Sequence, residues 1–177
     1  MSIAVTWGTT PEERALVYPC DSVSPMPFDA YYRGISVRAA PDLIFRWLCQ
    51  LRVAPYSYDL IDNLGKRSPR ELTPELDHLA AGQKVMQLFE IVTFERPVHL
   101  TVTSRRKGGL FAGIAVSYTI IPGHASCRLL AKLCLARRGG IVAALVRLLL
   151  PWGDLVMMRK QLRTLRDLAE RDERRTG

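Results

Sequence analysis

The stretch ISVRAAPDLIFRWLCQL, residues 35–51, changes its hydrophobic spacing from that of a strand to that of a helix. Apolar and polar side chains alternate over residues 31–39, which predicts a strand with one apolar face. Over residues 41–51 the apolar side chains recur every three or four positions, which predicts an amphipathic helix. Pro41 and Asp42 suit its first turn, because proline fits there and a carboxylate favours the positive end of the helix dipole.

The next stretch, APYSYDLIDNLG at residues 54–65, has the features of a second short helix. Ser57 is a suitable N-cap, since its hydroxyl can accept from free N–H groups of the first turn. Tyr56 and Ile61 have the spacing of a hydrophobic staple, and Gly65 is a suitable end. A structural role as a helix start is therefore sufficient to explain this stretch.

Residues 85–136 predict a series of antiparallel hairpins. Alternating segments are separated by the turn pairs Gly108-Gly109 and Pro122-Gly123. The segment 98–105 is predicted to be a half-buried strand with one wet face. The side chains on that wet face are His99, Thr101, Thr103 and Arg105.

Residues 141–177 are predicted to be helical, because the apolar side chains return to spacings of three and four. Pro151 and Gly153 are expected to kink this helix or to split it. The predicted order is a strand, two short helices, several antiparallel strands and one long C-terminal helix. Such a chain can bury its apolar surface when the long helix covers a curved antiparallel sheet, which is an α+β arrangement.

The chain of 177 residues fits one domain, and its net charge of +8 is unevenly placed. Between Arg96 and Gly153 there are nine Lys or Arg residues and no Asp or Glu. This excess fits either the solvated outer faces of strands and helix, or attraction to an anionic surface such as a membrane. Nucleic acid is not an expected partner, because neither a recognition-helix pattern nor basic residues interleaved with aromatics are evident.

The cysteines and the N-terminus favour a cytoplasmic protein with free thiols. The N-terminus has no signal-peptide pattern, and the apolar run 141–150 is interrupted by Arg147 and is too short to cross a bilayer. No CxxC pair occurs among the four cysteines, which are Cys20, Cys49, Cys127 and Cys134.

No sequence motif indicates a metal or a cofactor. The histidines His78, His99 and His124 lack zinc-ligand spacing, and neither phosphate-binding glycine loops nor nucleophile elbows occur. Glu90 lies in an apolar strand, where burial would let it act as a base; outward exposure is the alternative. The polar groups considered for proton transfer are Arg52, Tyr58, Asp59 and Glu90.

The chain resembles a bacterial branch of the START-like superfamily, also called SRPBCC or polyketide cyclase/dehydrase-like, which has the helix-grip fold. The residues that carry the resemblance are Ala40-Pro41, Trp47-Leu48, Gln50, Tyr56-Ser57-Tyr58-Asp59 and Asn63-Leu64. It implies a START-like domain over residues 31–172. Residues 1–30 lie outside the resemblance and are predicted to be an irregular arm, because four prolines there lack an N–H and fix φ. Residues 173–177 are predicted to be a disordered tail. The resemblance also implies a curved antiparallel sheet wrapped around the long C-terminal helix, with two short helices after the first strand.

The resemblance further implies a cavity between the sheet and the long helix, with an apolar lining and a few polar groups that orient a ligand. Tyr58 and Tyr118 are the stronger candidates in it, because a buried phenol needs a partner. Packing in a filled core is the alternative for the apolar candidates. By position, the expected lining is Trp47, Leu51, Tyr58, Phe89, Val116, Tyr118, Leu155, Met158 and Leu162.

The function expected first is binding of a hydrophobic or amphipathic small molecule, or a lipid, in this cavity without a cofactor. One alternative is an enzyme of the polyketide cyclase or aromatase type. Another is a peripheral lipid-binding or lipid-transfer protein that works at a membrane surface. A filled domain that binds nothing is the last alternative, since a fold does not by itself give a function. The protein is expected to be a monomer or a homodimer.

Overall fold

The computed structural model describes residues 2–24, 27–58, 67–105, 112–124, 126–137 and 139–176, without the side chains of residues 141–143. Three short helices come first, α1 (Ile3–Thr6), α2 (Pro11–Ala15) and α3 (Cys20–Val23). Strand β1 (Phe28–Val37) is followed by helix α4 (Pro41–Cys49) and by a 3-10 helix (Gln50–Arg52). The remaining elements are β2 (Lys84–Val85), β3 (Phe89–Glu95), β4 (His99–Ser104), β5 (Ile114–Ile121), β6 (Cys127–Ala136) and helix α5 (Ile141–Thr176).

The strands form one curved antiparallel sheet in the order β1-β6-β5-β4-β3-β2. The first strand pairs with the last, with Ile35 opposite Leu129. β6 pairs in turn with β5, with Leu133 opposite Val116. The predicted α+β architecture, with short helices after the first strand and a long C-terminal helix, is confirmed.

The core lies between the inner face of this sheet and α5. The odd-numbered residues of β1 from Tyr31 to Val37 are buried, as the alternation predicts. Each large apolar side chain removed from water there contributes about 1.5–3 kcal/mol. Helix α5 contributes the buried residues Leu155, Met158, Leu162, Leu165, Leu168 and Ala169.

The C-terminal turns of α5 hold the loop between β1 and α4. Glu170 Oε1 accepts a hydrogen bond from the backbone N–H of Arg38 at 2.9 Å, and Glu173 Oε2 accepts one from Ala40 at 3.3 Å. Trp47 Nε1 donates to Asp172 Oδ2 at 3.1 Å. The expectation of a disordered tail at 173–177 is therefore wrong up to Thr176, because these contacts give the end of the helix partners.

The N-terminal arm contains three short helices rather than irregular chain, and part of it covers the outer face of the sheet. The backbone N–H of Cys20 donates to Ser117 Oγ at 2.8 Å, and Ser117 Oγ lies 2.7 Å from Thr101 Oγ1. Thr101 is fully buried and His99 half-buried, so the predicted wet face of β4 is wrong at these positions. The apolar cluster on this outer face consists of Tyr18, Cys20, Ala115, Leu130 and Cys134.

Helix α5 runs through Pro151 as a single element, so the alternative of a split helix is wrong. The second predicted helix, residues 57–65, lies mostly outside the described residues. None of the helices in the described ranges is long and apolar enough to cross a membrane.

Candidate functional site

A buried ion pair joins β1 to α5 in the interior. Arg33 Nη2 lies 2.7 Å from Asp154 Oδ2, and the two side chains are 1% and 7% exposed. The same Nη2 donates to the carbonyl oxygens of Ala4 at 2.8 Å and Pro151 at 3.2 Å, and Nη1 donates to Tyr32 at 2.8 Å. The guanidinium therefore connects α1, β1 and α5 at one point.

Burial changes the protonation chemistry of this pair. Desolvation raises the pKa of Asp154 to about 6, although the attraction of the Arg33 guanidinium opposes the shift. Desolvation also lowers the pKa of Arg33, and the Asp154 carboxylate opposes that change. The site thus holds a carboxyl group that takes up a proton closer to neutral pH than an ordinary aspartate does.

A second buried polar contact lies one to two helical turns further along α5. The hydroxyl of Tyr118 donates to Gln161 Oε1 at 2.7 Å, and Gln161 Nε2 donates to the carbonyl oxygen of Pro55 at 2.6 Å. The hydroxyl also lies 3.8 Å from the sulfur of Met158. Desolvation raises the pKa of Tyr118, so this phenol stays protonated and acts as a hydrogen-bond donor.

An open groove of about 630 Å³ lies between β1 and the first half of α5. At one end Asp29 pairs with two guanidinium groups, Arg137 Nε at 2.8 Å and Arg147 Nε at 2.7 Å. Its walls are otherwise largely apolar or aromatic. The lining consists of Val5, Phe28, Asp29, Ala30, Tyr31, Tyr32, Arg137, Ala144, Arg147, Leu148 and Pro151.

The buried ion pair lies directly behind one wall of this groove. Val5 and Pro151 line the groove, and the carbonyl oxygens of Ala4 and Pro151 accept from Arg33. Tyr31 also lines the groove, and burial raises the pKa of its phenol, with the Asp29 and Asp154 carboxylates adding to the shift. The aromatic ring of Tyr31 thus lies near both charged centres.

Most of the nine predicted lining residues lie in the core. Seven are at most 8% exposed, and they are Trp47, Leu51, Val116, Tyr118, Leu155, Met158 and Leu162. Phe89 is half-buried. The structure brings Tyr118 and Met158 into contact, whereas the described groove is lined by other residues. That these nine residues contact a ligand stays a prediction.

Tyr58 is not the buried phenol that was expected, because its side chain is 40% exposed. The other groups considered for proton transfer also lie apart. Arg52 Nη1 donates to the carbonyl oxygens of Leu76 and His78 at 3.0 and 3.2 Å. Glu90 faces outward, 40% exposed and 3.7 Å from Arg105 Nε. Asp59 lies outside the described residues.

Sequence reasoning missed Arg33, Asp154 and Gln161, although a signal for each was present. Arg33 lies two and four positions before the core residues Ile35 and Val37 in β1, so its side chain is on the same face of the strand as theirs. Asp154 precedes Met158 by four positions and Gln161 by seven, which places all three on one face of α5. A charged residue at a core position of the hydrophobic pattern is the feature to look for.

Among the described residues, one group has the composition of a metal site, namely Cys20, Asp21 and Cys134. The two sulfur atoms lie 3.6 Å apart. The ammonium group of Lys132, however, pairs with Asp21 Oδ1, so a cation already occupies the carboxylate. The rings around that ammonium group belong to Tyr18, Phe28 and Tyr32, with centroids 5.1, 5.8 and 5.2 Å away. The cluster is better explained as a contact that fixes the arm to β6.

Comparison with known proteins gives no match to a protein-family model and none to a curated protein sequence. Solved structures do match. The chain superposes on protein CV1439 from Chromobacterium violaceum with a TM-score of 0.50 and 14% identity, covering 80% of this chain and 96% of that one. It superposes on the di-domain ARO/CYC StfQ from the steffimycin biosynthetic pathway with a TM-score of 0.50 and 12% identity.

The StfQ match covers 85% of this chain and 52% of the other, so this chain spans about half of that di-domain protein. Identities this low show a shared fold and do not transfer an activity. In this chain the fold consists of an antiparallel sheet that pairs its first strand with its last and of a long C-terminal helix across its inner face. The chain therefore shares the fold of these two structures, and its sheet and long C-terminal helix have the helix-grip arrangement that the sequence predicts.

Proposed function

We propose that the protein binds an amphipathic small molecule in the groove between β1 and the first half of α5. The observation that carries the proposal is the groove itself, about 630 Å³ with apolar walls and a charged end. Its volume lies within the roughly 300–1,000 Å³ that is usual for small-molecule sites. Phe28, Ala144 and Leu148 would contact the apolar part of the ligand.

The charged end of the groove favours a ligand with an anionic group. Two guanidinium groups, those of Arg137 and Arg147, share the single carboxylate of Asp29. Both arginine side chains are about half exposed, at 50% and 45%, so each can also contact a ligand. Because guanidinium groups bind carboxylates with paired hydrogen bonds, an alkyl carboxylate is the ligand class that fits best.

Binding is favoured over catalysis because the titratable carboxyl group lies behind the groove wall. Asp154 is not among the lining residues, and Arg33 connects it to carbonyl oxygens of Ala4 and Pro151 that belong to the wall. A cyclase or aromatase reaction would need a proton-transfer group in contact with the substrate. Tyr118, Leu155 and Met158 stay proposed as deeper contacts for a ligand that reaches between sheet and helix.

The proposal is tested by titrating the protein with a fluorescent long-chain fatty acid in the absence of vesicles. Ala144→Trp fills the groove and is expected to weaken binding about tenfold or more. Arg147→Met is expected to weaken binding of the fatty acid severalfold, and to have little effect on binding of the corresponding long-chain alcohol. Tyr58→Phe is the control, since Tyr58 is exposed and lies outside the described groove lining.

The outcome that would contradict the proposal is equal affinity for the fatty acid in the wild type and in Ala144→Trp. Saturable binding that Tyr58→Phe weakens and Ala144→Trp does not would move the site away from this groove. Thermal unfolding of each variant shows whether a loss of binding reflects a loss of folded protein.

A further inference from the structure

The first half of α5 carries a row of exposed apolar side chains. The row consists of Leu145, Leu148, Leu149, Trp152 and Val156, exposed by 55%, 67%, 58%, 54% and 51%. Leu145, Leu149, Trp152 and Val156 follow one another at spacings of four, three and four, and Leu148 lies three after Leu145 and four before Trp152, so all five share one face of the helix. We call this set the apolar stripe. Single exposed apolar residues are common on proteins, but a contiguous set on one helix face indicates a contact surface.

The charged groups around the apolar stripe are basic. Arg159, Lys160 and Arg163 are exposed and continue the same helix face toward the C-terminus. From Arg96 to Gly153 the chain has nine Lys or Arg residues and no acidic one, and the apolar stripe begins within this segment.

The acidic groups closest to the apolar stripe already have partners. Asp154 is buried against Arg33, and Asp29 pairs with Arg137 and Arg147. The field that an approaching surface meets here is therefore positive.

The N-terminal arm fixes the basic end of this surface without covering it. The guanidinium carbons of Arg159 and Arg163 lie 5.6 and 5.8 Å from the centroid of the Trp7 ring. Both arginines nevertheless remain exposed. Cation–π contact restricts their rotamers, so less side-chain entropy is lost when they bind an anion.

We propose that α5 docks through the apolar stripe onto an anionic membrane surface. In this arrangement the helix lies in the plane of the interface, with Trp152 and the leucines at the level of the acyl chains near the head groups. The basic residues then contact anionic lipid head groups. A second copy of the chain fits this surface less well, because two copies would bring their basic side chains together.

Docking does not depend on the ligand proposed for the groove, but the two surfaces share a residue. Leu148 belongs to the apolar stripe and also lines the groove. A chain docked in this way would have the opening of the groove at the lipid surface. The fatty-acid titration contains no vesicles, so either proposal can fail while the other holds.

The test is co-sedimentation of the full chain with vesicles of phosphatidylcholine, with and without about one-third phosphatidylserine, at low and high salt. The wild type is expected to bind the phosphatidylserine vesicles at least about tenfold more tightly, and high salt should weaken the binding. Leu149→Ser/Trp152→Ser is expected to lose about tenfold or more in affinity. Lys160→Glu should bind the phosphatidylserine vesicles severalfold more weakly, and its binding should depend less on the salt concentration.

Val17→Ser is the matched control, because Val17 is 91% exposed but lies on the N-terminal arm. It is expected to bind vesicles as the wild type does. Circular dichroism checks folding, which the substitutions should leave intact since the side chains are exposed. Trp152→Phe keeps the apolar surface, so it should still bind while losing the quenching of tryptophan fluorescence by brominated lipid.

Two results would overturn the proposal. One is equal sedimentation with and without phosphatidylserine, or none at all. The other is a dimer in sedimentation velocity that Leu149→Ser/Trp152→Ser converts to a monomer, since the apolar stripe would then be the interface between two copies.

Discussion

Arg33 Nη2 and Asp154 Oδ2 lie 2.7 Å apart in the interior, where β1 meets α5. An ion pair at this depth gains little net stability, because the cost of removing two charges from water offsets their attraction. The pair instead specifies where α5 lies along β1, because sliding the helix by one turn would leave both charges buried without a partner. The pair therefore fixes the long helix relative to the sheet, and with it the wall of the groove.

We expect loss of one member of this pair to destabilise the protein more than loss of both. Arg33→Met leaves the Asp154 carboxylate buried without its partner and should lower the free energy of unfolding by about 3–5 kcal/mol. Arg33→Met/Asp154→Leu removes both charges and should recover a large part of that loss. Equilibrium unfolding in urea measures both. If the double variant loses the sum of the two single losses, the charges are not coupled in the folded state.

The stability contributed by Asp154 should increase as the pH falls. Burial raises its pKa in the folded protein from 3.8 to about 6, so the folded state binds the proton first on acidification. This contribution is fully present below the unfolded pKa and is lost as the pH rises through about 6. Relative to Asp154→Asn, the wild type should therefore gain on the order of 2 kcal/mol between about pH 7 and about pH 4.

The measurement is urea unfolding of both proteins across that range, with Asp167→Asn as a surface control. Effects of the other carboxyl groups are common to both proteins and cancel in the difference. A relative loss by the wild type on acidification would mean that the attraction of Arg33 outweighs desolvation, so that the pKa of Asp154 is lower in the folded protein than in the unfolded chain. An NMR titration of the Asp154 carboxyl carbon gives the same pKa directly.

Gly8 is predicted to be essential for docking the N-terminal arm. Its φ is +73°, and a Cβ there would collide with the carbonyl oxygen of Gly34 in β1. Gly8→Ala should therefore cost more than the 1–2 kcal/mol of the backbone conformation alone, and should expose the arm to trypsin. Gly82→Ala is the matched control, with a φ of +82° and nothing within 4 Å of the added Cβ.

Gly82→Ala should lose only the stability that an alanine at positive φ costs, and trypsin should cleave the arm as it does in the wild type. Equal losses of stability in Gly8→Ala and Gly82→Ala would show that the close approach to Gly34 is not maintained in solution. Urea unfolding and limited proteolysis, read by mass spectrometry, distinguish the two results.

The elements predicted best are those that depend on local spacing. The spacing predicts the first strand at 31–39, and the structure has it at Phe28–Val37. It predicts the following helix at 41–51, and the structure has it at Pro41–Cys49. Within the arm, α2 has a local signal in the capping box of Thr10 and Glu13, whereas the position of the arm on the sheet depends on tertiary contacts. An example is the hydrogen bond from the backbone N–H of Cys20 to Ser117 Oγ, which no local pattern encodes.

The buried polar groups were the harder part of the site to predict. An arginine or aspartate on an apolar face is usually explained by exposure, and its burial is favourable only when a partner lies opposite. Arg33 and Asp154 are far apart in the sequence, so the pairing is visible only once β1 and α5 are packed together. Tyr58 shows the opposite error, since the resemblance implies a position in a buried cavity and the structure leaves its side chain 40% exposed.

The buried hydrogen bond between Tyr118 and Gln161 is expected to stabilise the folded protein. Tyr118→Phe removes the hydroxyl that donates to Gln161 Oε1 at 2.7 Å and leaves a buried amide oxygen without this donor. We expect a loss of about 1–3 kcal/mol in the free energy of unfolding. Tyr58→Phe removes the same atom from a tyrosine that is 40% exposed and should change stability by less than about 0.5 kcal/mol.

A double-mutant cycle separates this hydrogen bond from the packing of the ring. Gln161→Met removes the acceptor for Tyr118 together with the donor to the Pro55 carbonyl oxygen, so it should cost at least as much as Tyr118→Phe. Once Gln161 is gone, the hydroxyl has lost this partner, and adding Tyr118→Phe should cost little or even restore stability. If Tyr118→Phe costs the same with and without Gln161, the hydroxyl makes no stabilising contact with this amide, and the ring alone holds Tyr118 against α5.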